Sequence, residues 1–294
     1  MLDYKLLEAL AAVLHHQGFE RAAKALGLTQ SAISQRIKLL EARLGQPVLI
    51  RTPTPKATDL GRRLLNHVQQ VQLLENELAT SLPQLAGERQ RLRIAINADS
   101  LGTWWPQAMG PFVQQHSIEL DLVIEDQDVG LERMRQGEVA ACLCASDQPV
   151  QGARVVSLGV MRYRALATPD FIAKHLPHGP RPEDLKTTPV IVFGPNDQLQ
   201  HRYLAQLGVE SPFPHHLCGS VEGFLLLALA GIGFGLMPEI QAHQELETGR
   251  LVDVVPGIHL DVPLYWHYWR HGGDLLSALA SHLAKEAQHS LTPL

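Results

Sequence analysis

Residues Gly18–Leu44 read GFERAAKALGLTQSAISQRIKLLEARL. Two helical patterns meet at Gly27, a residue that accepts the positive φ of a tight joint. Thr29 stands where an N-cap belongs, with its oxygen free to take a backbone N–H of the next turn. The second helix sorts its residues by face. Ala32, Ile33, Ile37 and Leu40 fall on one side, and Gln30, Ser31, Ser34, Gln35 and Lys38 on the other. Short polar side chains at the start of a basic helix suit the edges of base pairs. Gln matches adenine in a bidentate way, and Ser donates or accepts. The pattern is that of a helix-turn-helix whose second helix enters a DNA major groove. Gln30, Ser31, Ser34 and Gln35 are the candidates for bases, and Arg36 and Lys38 for phosphates.

The flanks extend this unit. Leu6, Leu7, Leu10, Val13 and Leu14 recur at helical spacing in a preceding helix over Leu2–His16, which Gly18 closes in a left-handed cap. After Gly45, the apolar run from Val48 to Ile50 leads through Arg51 and a Pro/Thr turn to Lys56, the outline of a hairpin wing. Arg51 and Lys56 are placed to meet phosphates beside the groove. From Thr58 to about Leu82 a single long helix carries Leu60, Leu64, Leu65, Val68, Val71, Leu74 and Leu78 as a stripe. A lone helix of that length calls for a partner, either a second copy or the chain's own body.

Charge divides the chain in the same place. The whole carries a formal −5, but residues 1–90 are net +3 and the remainder net −8. A basic head on an acidic body is expected, with nucleic acid as the partner of the head. Cys142, Cys144 and Cys218 are an odd number without CxxC spacing, so neither a disulfide framework nor a zinc site is indicated. Free thiols suit a reducing cytoplasm. No apolar run reaches the roughly 18 residues that a membrane span needs, and the opening residues lack a signal pattern. The protein is expected in the cytoplasm.

The remaining two hundred residues alternate strand and helix patterns. RLRIAI at Arg91–Ile96 reads as a strand that delivers Asn97, Ala98, Asp99 and Ser100 to its carboxyl edge, where ligands sit in open α/β sheets. Leu101–His116 follows as one helix with Trp104 and Trp105 near its start. Glu125 and Asp126 end the next strand. Asp99, Glu125 and Asp126 are candidates for holding a cation, and each also reads as a cap or a surface charge. Ser100 and Ser220 stand at helix starts whose N–H groups suit a carboxylate. Glu222, Trp105 and Phe193 complete the candidate ligand residues. AGIGFGLMP at Ala230–Pro238 lacks the GK[ST] end of a P-loop. HEXXH and GxSxG are absent, and the fifteen histidines form no metal spacing, so an enzyme is not expected.

The run FERAAKALGLTQSAISQRIKLLEARLGQPVLIR, the wing PTPKATDLGRRLL and the long helix resemble the LysR-type transcriptional regulators. The resemblance spans the whole chain. IAINADSLGTWW, VIEDQD and LYWHYW are similar to the branch of that family that answers to lysine and arginine and activates a basic amino-acid exporter. It implies an N-terminal all-α winged helix-turn-helix at 1–58 and a linker and dimerisation helix with hinge at 59–90. A periplasmic-binding-protein-like α/β effector domain follows, with subdomain I at 91–164 plus 266–294 and subdomain II at 165–265. It further implies a homodimer or homotetramer on promoter DNA, contact with RNA polymerase, no cofactor, and L-lysine or L-arginine as effector. The alternatives are a LysR-type regulator with a different, anionic effector, and a ligand-independent architectural DNA-binding protein.

Overall fold

The head is built as its periodicity requires. In the computed structural model, which describes residues 2–81, 90–125, 130–210, 212–270 and 272–294, α1 (Tyr4–His15), α2 (Phe19–Ala25) and α3 (Gln30–Leu44) surround one apolar core. Leu7, Leu10, Val13, Ala22, Ile33 and Ile37 have essentially no exposed surface. Each of these Leu, Ile and Val side chains contributes about 1.5–3 kcal/mol of burial. Gly27 takes φ +63° at the joint, and Thr29 Oγ1 accepts from Ala32 N at 3.2 Å. The end of α1 differs from expectation by one residue. Gln17 carries the left-handed φ of 52°, and Gly18, at φ 167°, is extended and caps the start of α2.

The wing is β1 (Leu49–Ile50) paired antiparallel with β2 (Lys56–Ala57). Thr58 joins it to α4 (Asp59–Ser81), donating to Pro47 O at 2.9 Å and accepting from Gly61 N at 3.1 Å. Gly61 lies so close to the wing that a Cβ there would stand 2.1 Å from Val48 O. Gly61→Ala is therefore expected to destabilise the head by about 1–3 kcal/mol, the usual cost of overpacking. A thermal melt should show an earlier head transition, with ligand binding by the body unchanged. Leu64, Leu65 and Val68 of α4 are buried, while Leu74, further along, is 47% exposed. Leu78 of the expected stripe and the linker at 82–89 lie outside the described side chains.

The body begins with β3 (Gln90–Ile96), α5 (Ala98–Gly102), α6 (Trp105–His116), β4 (Ile118–Ile124), α7 (Gly130–Arg135) and β5 (Ala141–Cys144). The helix expected over Leu101–His116 is two helices, because Pro106 lacks the N–H an interior position would use and starts a new one. The long β6 (Ala153–Ala167) is a single strand. It leads to α8 (Pro169–His175), α9 (Pro182–Leu185), β7 (Val190–Val192), α10 (Leu199–Gln206), β8 (His215–Leu217) and α11 (Val221–Leu229). β9 (Gly235–Pro238), α12 (His243–Glu247), β10 (Val252–Asp253), β11 (His259–Trp269) and α13 (Gly273–Glu286) complete the chain.

The main sheet has the order β10-β6-β11-β5-β3-β4, with β9 also on β6. β3 pairs in parallel with β4 and β5, and its second half, Ile94–Ile96, is apolar on both faces as a covered parallel strand should be, while Arg91 and Arg93 mark the open face of its first half. β6 and β11 run antiparallel from His259 opposite Arg164 to Trp269 opposite Ala153. Their two ends serve different lobes: β5 joins β11 at one end, and β9 and β10 join β6 at the other. The expected boundaries near 165 and 265 fall inside these shared strands.

Among the described residues two hydrogen bonds join the head to the first lobe, and α4 also packs against α13. Arg93 of β3 donates to His15 Nδ1 at 3.2 Å, and Asn66 of α4 donates to Arg135 O at 3.5 Å. Gly137, at φ +70°, sits beneath Asn66, where a Cβ would fall 1.8 Å from Asn66 Oδ1. Burial and the neighbouring Arg93 cation hold the His15 pKa below its ordinary value.

Candidate DNA-reading face and ligand cleft

The apolar residues Ile33, Ile37 and Leu40 seat α3 in the head and turn its opposite face outward. Gln30, Ser31, Gln35 and Lys38 are exposed on α3 and Ser34 is half-buried; Lys56 is exposed on the wing. Ser31 Oγ lies 3.0 Å from Thr29 Oγ1 at the helix start. Two expected phosphate ligands are engaged elsewhere. Arg36 turns to α1, donating to Lys5 O at 3.4 Å and lying 3.8 Å from Glu8. Its role here is to tie α3 to α1. Arg51 pairs with Glu41 at 3.0 Å, and the other oxygen of Glu41 accepts from Val48 N at 3.1 Å. That carboxylate fastens the wing to α3 and leaves Arg51 exposed beside it.

A cleft of about 270 Å³ opens between the two lobes of the body. The carboxyl edge of the first lobe supplies Asn97, Asp99 and Glu125, and the second lobe supplies Phe193, Asp197, Gln200 and Arg202. The lobes touch nearby, at Gly102 of α5 and Val221 of α11, where a Cβ on Gly102 would reach within 2.9 Å of Val221. Asp99 stands in the first turn of α5 and accepts from Tyr163 OH at 2.6 Å. Burial pushes its pKa up to about 6; the Tyr163 hydrogen bond opposes this and the Asp197 charge adds to it. Glu125 directly follows β4 and holds Arg133 through a single oxygen, Oε1, at 2.7 Å from Nε and 2.6 Å from Nη2. Arg133 also reaches Glu138 at 2.7 Å.

Other polar groups on the cleft wall lack partners among the described residues. Asn97 is 2% exposed and both polar atoms of its amide are unpaired. Gln200 is 1% exposed; its Nε2 donates to Asp197 at 3.0 Å and its Oε1 is unpaired. Asp197 is spent on Phe193 N, Gln200 and Leu199 N. Buried polar atoms left unpaired cost about 1–3 kcal/mol each, so these are groups a polar ligand would satisfy.

Of the residues expected to hold an effector, Asp99, Glu125 and Phe193 line the cleft. Trp105 does not: it is 1% exposed within the first lobe's core, because the break before α6 points it inward. Ser100, within α5, is fully buried and off the cleft wall. Ser220 caps α11 by accepting from Gly223 N at 3.1 Å, and Glu222 is exposed in that helix's first turn. Neither lines the cleft, although Val221 between them does. Asp126 lies outside the described residues. Gln200 and Arg202 carry no sequence signal, and the sequence places Asn97 at the ligand edge without assigning it to the ligand. The position of Asn97 at a strand's carboxyl edge was the available signal; LQHRYLAQ reads only as a polar helix.

A winged helix-turn-helix joined to a two-lobed, cleft-bearing α/β domain defines a ligand-responsive DNA-binding regulator. Residues 4–62 match the bacterial regulatory helix-turn-helix protein family of lysR type, and residues 85–290 match the LysR substrate binding domain. An HTH-type transcriptional regulator ArgP of Pseudomonas fluorescens is 61% identical over 295 residues, covering 100% of this chain and 99% of that protein. The crystal structure of ArgP from Mycobacterium tuberculosis is 34% identical with a TM-score of 0.89, covering all of both chains. A full-length LysG from Corynebacterium glutamicum with arginine bound as effector is 34% identical with a TM-score of 0.79, covering 99% of this chain and 100% of that one. The chain belongs to the LysR family of bacterial transcriptional regulators, in the branch of ArgP and LysG. Proteins of this family bind DNA and are not enzymes. Among the described residues, no helix is long and apolar enough to cross a membrane.

Proposed function

We propose that the protein senses a basic amino acid, L-arginine or L-lysine, in the interlobe cleft and adjusts transcription of amino-acid export or metabolism genes accordingly. The observation that carries this is the pair of carboxylates, Asp99 and Glu125, on one wall of a cleft between two lobes. The arginine bound to the related LysG supports the same ligand class. Two copies joined through α4, whose Leu74 is exposed, would set two α3 helices on a pseudo-palindromic promoter, as a dimer or a dimer of dimers. Closure of the cleft on the ligand would alter head spacing and the contact with RNA polymerase. Ligand and DNA affinities must then be reciprocally coupled.

Calorimetric titration with arginine, lysine and unrelated anions tests the reading. Binding of either basic amino acid is the expected result, and heat with anions alone would overturn it. The pH dependence follows from Asp99. A cation is held by the ionised form, and with a pKa of about 6 roughly nine-tenths of the group is protonated at pH 5. Affinity is therefore expected to fall about tenfold from pH 7.5 to pH 5, with proton release on binding in the acid range.

A further inference from the structure

The second lobe contributes a feature that a simple cation trap would lack. Arg202, on α10, lines the cleft and is the one Lys or Arg among its lining residues. No described residue forms an ion pair with it. The nearby Asp197 is already committed to two backbone N–H groups and to Gln200. A guanidinium in such a place repels a bare amine or guanidine. It attracts a carboxylate, which it holds through two parallel hydrogen bonds.

Resting on the basic amino-acid reading above, we infer that Arg202 is the specificity residue that binds the α-carboxylate of the effector. The ligand then lies across the cleft with its cationic side chain on the first lobe, at Asp99 and Glu125, and its carboxylate on the second. Gln200, which also lines the cleft and is almost fully buried with its Oε1 unpaired, offers an acceptor suited to the α-ammonium. This orientation explains why a site built around carboxylates keeps a positive charge on its wall: the arrangement matches a zwitterion with a third charge. It also makes the ligand a bridge between lobes, so that a molecule with only one of the two ends cannot draw them together.

The test uses arginine and agmatine, which differ by the α-carboxylate, with the full-length protein and its Arg202→Gln variant. The parent should bind arginine at least tenfold more tightly than agmatine. Arg202→Gln should weaken arginine at least tenfold and leave agmatine within threefold, or tighter, so that the preference collapses. Retained agmatine binding shows in the same experiment that the variant's cleft is intact. An equal loss for both ligands, or an unchanged arginine affinity, overturns the role of Arg202 while leaving the effector reading in place. A parent protein that binds neither ligand overturns both.

Discussion

Asp99→Asn is expected to lower arginine affinity at pH 7.5 by on the order of a hundredfold while making the empty protein more stable. Removing one charge from a desolvated, hydrogen-bonded charge pair costs about 2–5 kcal/mol of binding. The stability gain has the opposite origin. An aspartate whose folded pKa is raised from 3.8 to about 6 binds its proton more tightly in the folded state. Its favourable contribution is complete below about pH 4, is lost as pH rises through 6, and is gone at neutrality. About two pKa units correspond to roughly 3 kcal/mol that the ionised carboxylate withholds from the fold. Asparagine carries no such charge and still offers an acceptor to Tyr163 OH. Thermal melts of parent and variant should therefore converge near pH 4 and separate toward pH 7.5, with the variant higher. Arginine binding by the variant within threefold of the parent would contradict the assignment of Asp99 to the effector.

Changing Ser34 and Gln35 together to Ala should abolish most of the preference for cognate promoter over random DNA, by about a hundredfold. A bidentate base contact discriminates by about 1–3 kcal/mol, and α3 presents Gln35 exposed and Ser34 half-exposed on its outer face. The helix itself should persist, because Ala favours helix and the anchoring Ile33, Ile37 and Leu40 are untouched. Non-specific affinity should change little, since Lys38 and Lys56 remain for phosphates. Gel shifts at one fixed salt concentration, with cognate and scrambled duplexes, separate the two quantities. An unchanged ratio would remove these residues from base reading.

The head was legible because its information is local. A 3.6-residue apolar period, a glycine at the joint and a threonine cap each act within a few residues, and only the exchange of roles between Gln17 and Gly18 escaped. Arg36 and Arg51 were harder. Whether an arginine faces DNA or folds back on Glu8 or Glu41 depends on the packing of α3 against α1 and the wing. In the body, strand-edge logic located Asp99 and Glu125, since a carboxyl edge is a place defined by one strand. Trp105 was misplaced because two helices, not one, precede β4, and the break rotates its ring into the core. Gln200 and Arg202 gave no sequence signal at all. A polar face on α10 becomes a cleft wall only after β6 and β11 bring the second lobe over the first, and that is a relation between segments some hundred residues apart.

The resting of the head on the first lobe bears on how this protein can be re-engineered. LysR architecture invites hybrid regulators in which a foreign reading head is grafted onto a chosen sensor. Here the seam is interlocked: Asn66 fills the space that Gly137 leaves open, and His15 accepts from Arg93. A transplanted head that carries a bulkier residue at the position of Asn66 would collide with the sensor before any question of promoter choice arose. A hybrid that keeps His15, Asn66 and the first turns of α4 from this chain, and exchanges only the outer face of α3, carries the new address on an undisturbed joint.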